Sequence, residues 1–111
     1  MITGMHALFY TPEAEAARAF LRDKLGLDCI DSGGGWLIFK VPTAELGVHP
    51  GAPKHELSFF CDDLDATLAT LRARGVEPSG PVRDAEWGRI TTIQLPGGVD
   101  IGLYQPRHKQ P

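Results

Sequence analysis

His55-Glu56-Leu57-Ser58-Phe59-Phe60-Cys61, followed at once by Asp62, Asp63 and leucines at 64, 68 and 71, decides the fold. The first seven residues read as a strand, and the two aspartates supply a cap and first-turn acids for a helix that Gly75 ends. The same order stands 49 residues earlier. There His6-Ala7-Leu8-Phe9-Tyr10 reads as a strand within residues 5–11 and Pro12 suits a helix's first turn. Ala14, Ala17, Leu21 and Leu25 then recur at three- and four-residue steps as far as Gly26. The shift superposes His6 on His55, Leu8 on Leu57, Ala17 on Ala66 and Gly26 on Gly75, so the chain reads as an internal duplication.

Strands after each helix complete the repeat. Residues 27–31 and 36–41 read as strands around the turn Gly33-Gly34-Gly35, and Pro42-Thr43 leads into a fourth strand over 44–49. Gly51-Ala52-Pro53-Lys54 is a short link. In the second half Pro78, Gly80 and Pro81 allow only a weak or edge strand over 76–82. Residues 89–95 and 99–104 flank the hairpin signal Pro96-Gly97-Gly98, and residues 107–111 read as a frayed tail. The expectation is one α+β domain over residues 1–111. It holds two βαβββ repeats, at about 5–50 and 55–105, whose curved mixed sheets enclose a pocket.

Composition narrows the function. With 42% hydrophobic and 23% charged residues in 111, the chain has the make-up of a single globular domain, which at this size needs no disulfide or structural metal. A net charge of -3 and no cationic cluster interleaved with aromatics argue against nucleic acid. No cationic start precedes an apolar run and no segment approaches a bilayer span, so a cytoplasmic protein with no membrane partner is expected. Cys29 and Cys61 lack C-x-x-C spacing and read as small buried hydrophobes. No nucleophile elbow is present, and the glycine triplet precedes a strand rather than the helix a phosphate loop needs.

Strand alternation puts His6 with Leu8 and Tyr10, His55 with Leu57 and Phe59, and Glu45 with Gly47 and His49. Faces brought opposite each other around a cavity would gather two histidines and a carboxylate. That donor set suits iron, manganese, nickel, cobalt or zinc with open positions. The same histidines can instead be hydrogen-bonded pocket residues, and Glu45 a solvated strand residue. Tyr10, Phe59, Trp87 and Tyr104 are the candidate aromatic walls, with His49 at a strand end and Trp87 beside the mouth.

The two His-led strands, the helix ending Leu25-Gly26-Leu27 and the second helix together resemble the vicinal-oxygen-chelate superfamily. That superfamily includes glyoxalase I, bleomycin- and fosfomycin-resistance proteins and extradiol dioxygenases, and the resemblance covers nearly the whole chain. It implies metal ligands at His6 and His55, with Glu45 of Ala44-Glu45-Leu46 as a third ligand and the catalytic carboxylate. The last carboxylate of the family lies in a closing Gly-x-x-Ile-Glu-Leu pattern. Here the chain reads Gly98-Val99-Asp100-Ile101-Gly102-Leu103, with Gly102 at the ligand position and Asp100 about 6.5 Å away along the strand. The resemblance therefore implies a protein that binds or sequesters a small organic ligand without a complete metal site. Its alternative is a lyase, isomerase or transferase using Zn, Ni, Mn or Fe on a substrate with vicinal oxygens. It further implies a homodimer with pockets shared between subunits, His6 and Glu45 facing His55 of the other copy.

Overall fold

The structure, a computed structural model, describes residues 6–109. Its elements run α1 (Ala14–Asp23), β1 (Cys29–Asp31), β2 (Leu37–Phe39), β3 (Ser58–Phe60), α2 (Leu64–Ala73), β4 (Arg83–Ala85), β5 (Gly88–Leu95) and β6 (Val99–Pro106). Strands β3 to β6 form one mixed sheet in the order β3-β6-β5-β4, with β3 parallel to β6 and the other neighbours antiparallel. Strands β1 and β2 pair as a separate antiparallel hairpin. The α+β class and mixed sheets are as the sequence leads one to expect, but the sheets do not close on each other.

The second repeat is complete because its apolar pattern is consistent throughout. Odd-numbered residues of β5 and β6 point to one face, where Ile93, Leu95, Ile101 and Leu103 meet Leu64, Leu68 and Leu71 of α2. Leu64, Ile93, Leu95 and Ile101 are fully enclosed there. Truncating one of them to alanine would cost about 2–5 kcal/mol. Ala17 and Leu21 of α1 join the same cluster, so the first helix is fixed to the second repeat's core.

Polar contacts fix the helix ends. Asp63 accepts from Ala66 N at 3.0 Å, and Gln105 in β6 accepts from Leu64 N at 2.8 Å, so two of the free amides of α2 are satisfied. At the other ends Lys24 Nζ donates to Arg74 O at 2.9 Å and Arg74 donates to Lys24 O at 2.7 Å. Each cation sits at the partially negative end of the other helix, which ties the two repeats together.

Three local expectations are corrected. Residues 6–11 and 44–49 form no strand, so the first repeat has its helix and hairpin but neither outer strand; Met5 lies outside the described residues. The strand expected over 76–82 forms instead at Arg83–Ala85, with Ser79 N donating to Thr92 O as the one sheet-like bond before it. Two prolines in 76–82 lack the amide a ladder needs, so regular pairing starts only beyond them. Arg107 and His108 of the expected frayed tail are bonded into the structure, whereas residues 110–111 lie outside the described ones. Among the described residues no helix is long and apolar enough to cross a membrane.

Candidate ligand-binding face

The even-numbered residues of β5 and β6 point away from α2, and no described element layers over them. Register pairs Arg83 with Ile90, Ile90 with Tyr104 and Phe60 with Tyr104, so Phe60, Tyr104, Ile90 and Arg83 form one row across all four strands. The next row is Ser58, Gly102 and Thr92, whose side chains are small. A ridge of large side chains thus borders a shallow hollow along the row of small ones, with the Ser58 side chain lying over Gly102. A Cβ at Gly102 would collide with Ser58 Oγ, lie 3.0 Å from Ser58 Cβ and 3.4 Å from Ile90 Cδ1.

Tyr104 is the hub of the ridge. Its ring lies 6.1 Å from Phe60 and 5.7 Å edge-on from Trp87, within the range of favourable aromatic pairs. Its hydroxyl donates to Trp87 O at 3.0 Å, and Arg107 N bonds the same carbonyl at 3.0 Å, fixing the turn that carries Trp87. Glycine at 88 is needed for this approach, because a Cβ there would stand 2.6 Å from the Tyr104 ring. The indole remains 42% exposed, and the Arg83 guanidinium covers it at 5.3 Å. A cleft of about 360 Å³ opens beside β4 and β5, lined by Ser79, Arg83, Ile90 and Thr92 among others. That volume is in the range of small-molecule sites.

His108 bridges Tyr104 and Glu45. Its Nδ1 lies 3.0 Å from the Tyr104 hydroxyl and its Nε2 2.6 Å from Glu45 Oε1. Arg107 anchors the same stretch through Asp84, at 2.6 Å, and through Ala85 O. Burial raises the Tyr104 phenol above its ordinary pKa, and the charge of Glu45 adds to that. At the rim Glu56 is held below the usual carboxylate range, first by the hydrogen bond and charge of Lys54 and then by His49 and Arg83.

Of the residues singled out in the sequence, Tyr104, Trp87 and Glu45 come together here. Phe59 does not: it pairs with Leu103 and packs against the core, and its neighbour Phe60 meets Tyr104. Adjacent strand residues face opposite ways, and Leu57, Phe59 and Cys61 together mark the core side. Tyr10 is 84% exposed on the unpaired segment 6–11. His49 is exposed, with Nδ1 2.7 Å from Pro50 O. His6 and His55 are exposed and outside any strand. Among the described residues no three His, Cys, Asp or Glu side chains stand together as a metal group. Within one chain the donors do not fit the divalent metal of the resemblance, since Glu45 is engaged by His108 and Ser58 fills the space beside Gly102. Sequence reasoning missed Phe60, Ile90, Arg83 and His108. The odd-numbered apolar run Leu57, Phe59 and Cys61 could have revealed the first of them.

A helix thus packs on one face of a mixed sheet whose other face is open and aromatic. The chain belongs to the glyoxalase/bleomycin resistance protein/dioxygenase superfamily, whose family model matches residues 5–103. The antibiotic-binding protein TnmS3 from Streptomyces sp. CB03234 is similar at 28% identity and a TM-score of 0.66, over 96% of this chain and 99% of that one. A glyoxalase/bleomycin resistance protein from the same organism is also 28% identical, with a TM-score of 0.55 over 86% of this chain and 93% of its own. Lactoylglutathione lyase from Agrobacterium tumefaciens has a TM-score of 0.70 at 18% identity, over 93% of this chain and 92% of that one, a likeness of fold alone. A search of curated proteins gives no match.

Proposed function

We propose that the protein binds and sequesters a small planar aromatic molecule on the open face of the second-repeat sheet, without a resident metal. The observation that carries this reading is the ridge of Phe60, Tyr104 and Ile90 set against the hollow at Gly102, with the half-exposed Trp87 at its end. A flat apolar ligand laid in the hollow would bury one face on the sheet and meet ring edges on its side, an arrangement favoured by area burial and aromatic geometry together. The likeness to an antibiotic-binding protein at 28% identity supports the same class of role. Assembly completes the reading: a second copy of the chain covers the face. Leu8, Tyr10, Leu46 and Val48 are each more than half exposed on the two unpaired segments. The radius of gyration of 14.7 Å also exceeds the about 13 Å of a closed domain of this length.

The test is a titration of the protein with 2-naphthol and 2-naphthamide, following amide and indole NMR signals. Shifts should cluster at Trp87, Thr92, Gly102 and Tyr104, and Trp87→Ala should weaken binding about tenfold. Nickel, zinc, manganese and iron should leave the melting temperature unchanged. Shifts scattered over the surface, or a stoichiometric metal that raises the melting temperature, would overturn the proposal.

A further inference from the structure

Two clefts in this chain each contain an arginine stacked on a tryptophan, and their charge surroundings differ. Between α1 and the β1–β2 hairpin, Arg18 lies 4.6 Å over Trp36, but Glu15 and Asp31 line that cleft alongside Arg18 and Arg22. Its charges balance internally. In the cleft beside β4 and β5, Arg83 is the single charged lining residue.

The rest of the chain sharpens the contrast. Arg22 pairs with Asp23, Arg72 with Glu77, Arg89 with Asp65, and Arg107 with Asp84, while Lys54 holds Glu56. Arg74 is committed to Lys24 O. Among the described residues no carboxylate lies within ion-pair distance of Arg83. Its guanidinium is covered on one face by the Trp87 indole. Stacking of that kind occupies a face of the guanidinium and leaves its fork of N–H donors free for a planar two-oxygen acceptor.

Resting on the face proposed above, we infer that Arg83 is the anion-recognising residue of that face, and that the ligand is an aromatic carboxylate. Distance supports the match. Arg83 and Tyr104 are two strands apart in one row, about 10 Å. A two-ring aromatic lying over the Gly102 hollow and against Tyr104 spans that interval with its carboxylate at the guanidinium. Thr92 beside Arg83 offers a hydroxyl at the same end of the cleft, while the hydroxyl of Ser79 donates to Thr92 O at 2.9 Å. The net charge of -3 opposes anion binding in general, so a preference for the carboxylate would be a local property of this end.

The experiment compares 2-naphthoate with its neutral isostere 2-naphthamide on wild type, Arg83→Gln and Lys40→Gln, reading dissociation constants from tryptophan fluorescence and NMR shifts, with circular dichroism to confirm folding. Arg83 is exposed on an edge strand, so its replacement leaves the core intact. Wild type and Lys40→Gln should bind the naphthoate about fivefold to tenfold more tightly than the amide, and Arg83→Gln should bind the two equally. Equal binding of acid and amide by wild type would overturn the role of Arg83 and leave the aromatic face standing. The same holds if Lys40→Gln, in the first-repeat segment, abolishes the preference as fully as Arg83→Gln, since the preference would then be a general surface field. Absence of any shift at Trp87 or Tyr104 with either compound would overturn both the inference and the face it rests on.

Discussion

Replacing Gly102 by alanine separates what the hollow does for the fold from what it does for the ligand. The new methyl would collide with Ser58 Oγ and stand 3.0 Å from Ser58 Cβ, with Ile90 Cδ1 at an ordinary 3.4 Å. Rotation of the serine removes the first contact; the second sits on backbone and needs β3 and β6 to part by a few tenths of an ångström. Overpacking of that kind costs about 1–3 kcal/mol, and alanine regains about 0.5–1 kcal/mol over glycine within a strand. The net loss is about 0.5–2 kcal/mol, a fall in melting temperature of about 3–10 °C for a chain of this size.

The second half of the test is Ser58→Gly combined with Gly102→Ala. Removing the serine side chain takes away both close contacts, so the double variant should be less destabilised than the sum of the singles by about 1–2 kcal/mol. Ligand affinity should fall in Gly102→Ala, where the displaced serine stands up from the floor, and recover in the double variant, where the methyl takes the place of the serine side chain. The assays are denaturant unfolding for stability and titration with 2-naphthamide for binding. Additive stabilities would refute the geometry of the Ser58 and Gly102 rows. Full affinity in the folded Gly102→Ala variant would refute the hollow as the seat of the ligand.

Two further outcomes are expected. Burial pushes the Cys61 thiol above its ordinary pKa, against a lowering by Thr67, so the folded chain keeps that proton to higher pH than the unfolded one. Its contribution to stability is complete below the unfolded thiol's pKa, about 8.5, and is lost as pH rises from there through the folded value; the denaturation midpoint should fall over that window, with a shallower fall in Cys61→Ala. An unchanged slope in the variant would disprove the assignment. If a second copy covers the exposed segments, Val48→Asp or Leu46→Asp should convert a dimer to a folded monomer in analytical ultracentrifugation, and a wild type that sediments as a monomer would remove that part of the reading.

Most of the second repeat was legible because local pattern and tertiary role agree there. Leucines at 64, 68 and 71 lie on one helix face and are buried, and Pro96-Gly97-Gly98 turns β5 into β6. The frame broke where two signals competed. Counting from His55 makes Phe59 a pocket residue, yet burial of Cys61 and pairing with Leu103 show that odd positions face the core, so Phe60 lines the open side. Strand β4 was hidden by the prolines just before it, which moved pairing onward along the chain. His108 left no local trace at all: its partners Glu45 and Tyr104 lie 63 and 4 residues away, and the longer of those contacts is set by tertiary structure. The first repeat's outer segments carry a strand pattern without forming strands within the chain.

The far end of β6 bears on Glu45, the residue that the resemblance implies as a metal ligand. Gln105 caps the first turn of α2, Arg107 binds β4 through Asp84 and Ala85, and His108 reaches Glu45, so three anchors tie the strand bearing Tyr104 to three separate parts of the chain. The Glu45 bond matters most for the site, since it joins the otherwise exposed segment 44–49 to the hydroxyl that holds the Trp87 turn. Withdrawing Glu45 to a metal would break that chain of bonds and loosen Tyr104 and Trp87 together. Metal ligation and an ordered aromatic ridge are therefore competing uses of one carboxylate. In this structure His108 holds that carboxylate at 2.6 Å, on the side of the ridge.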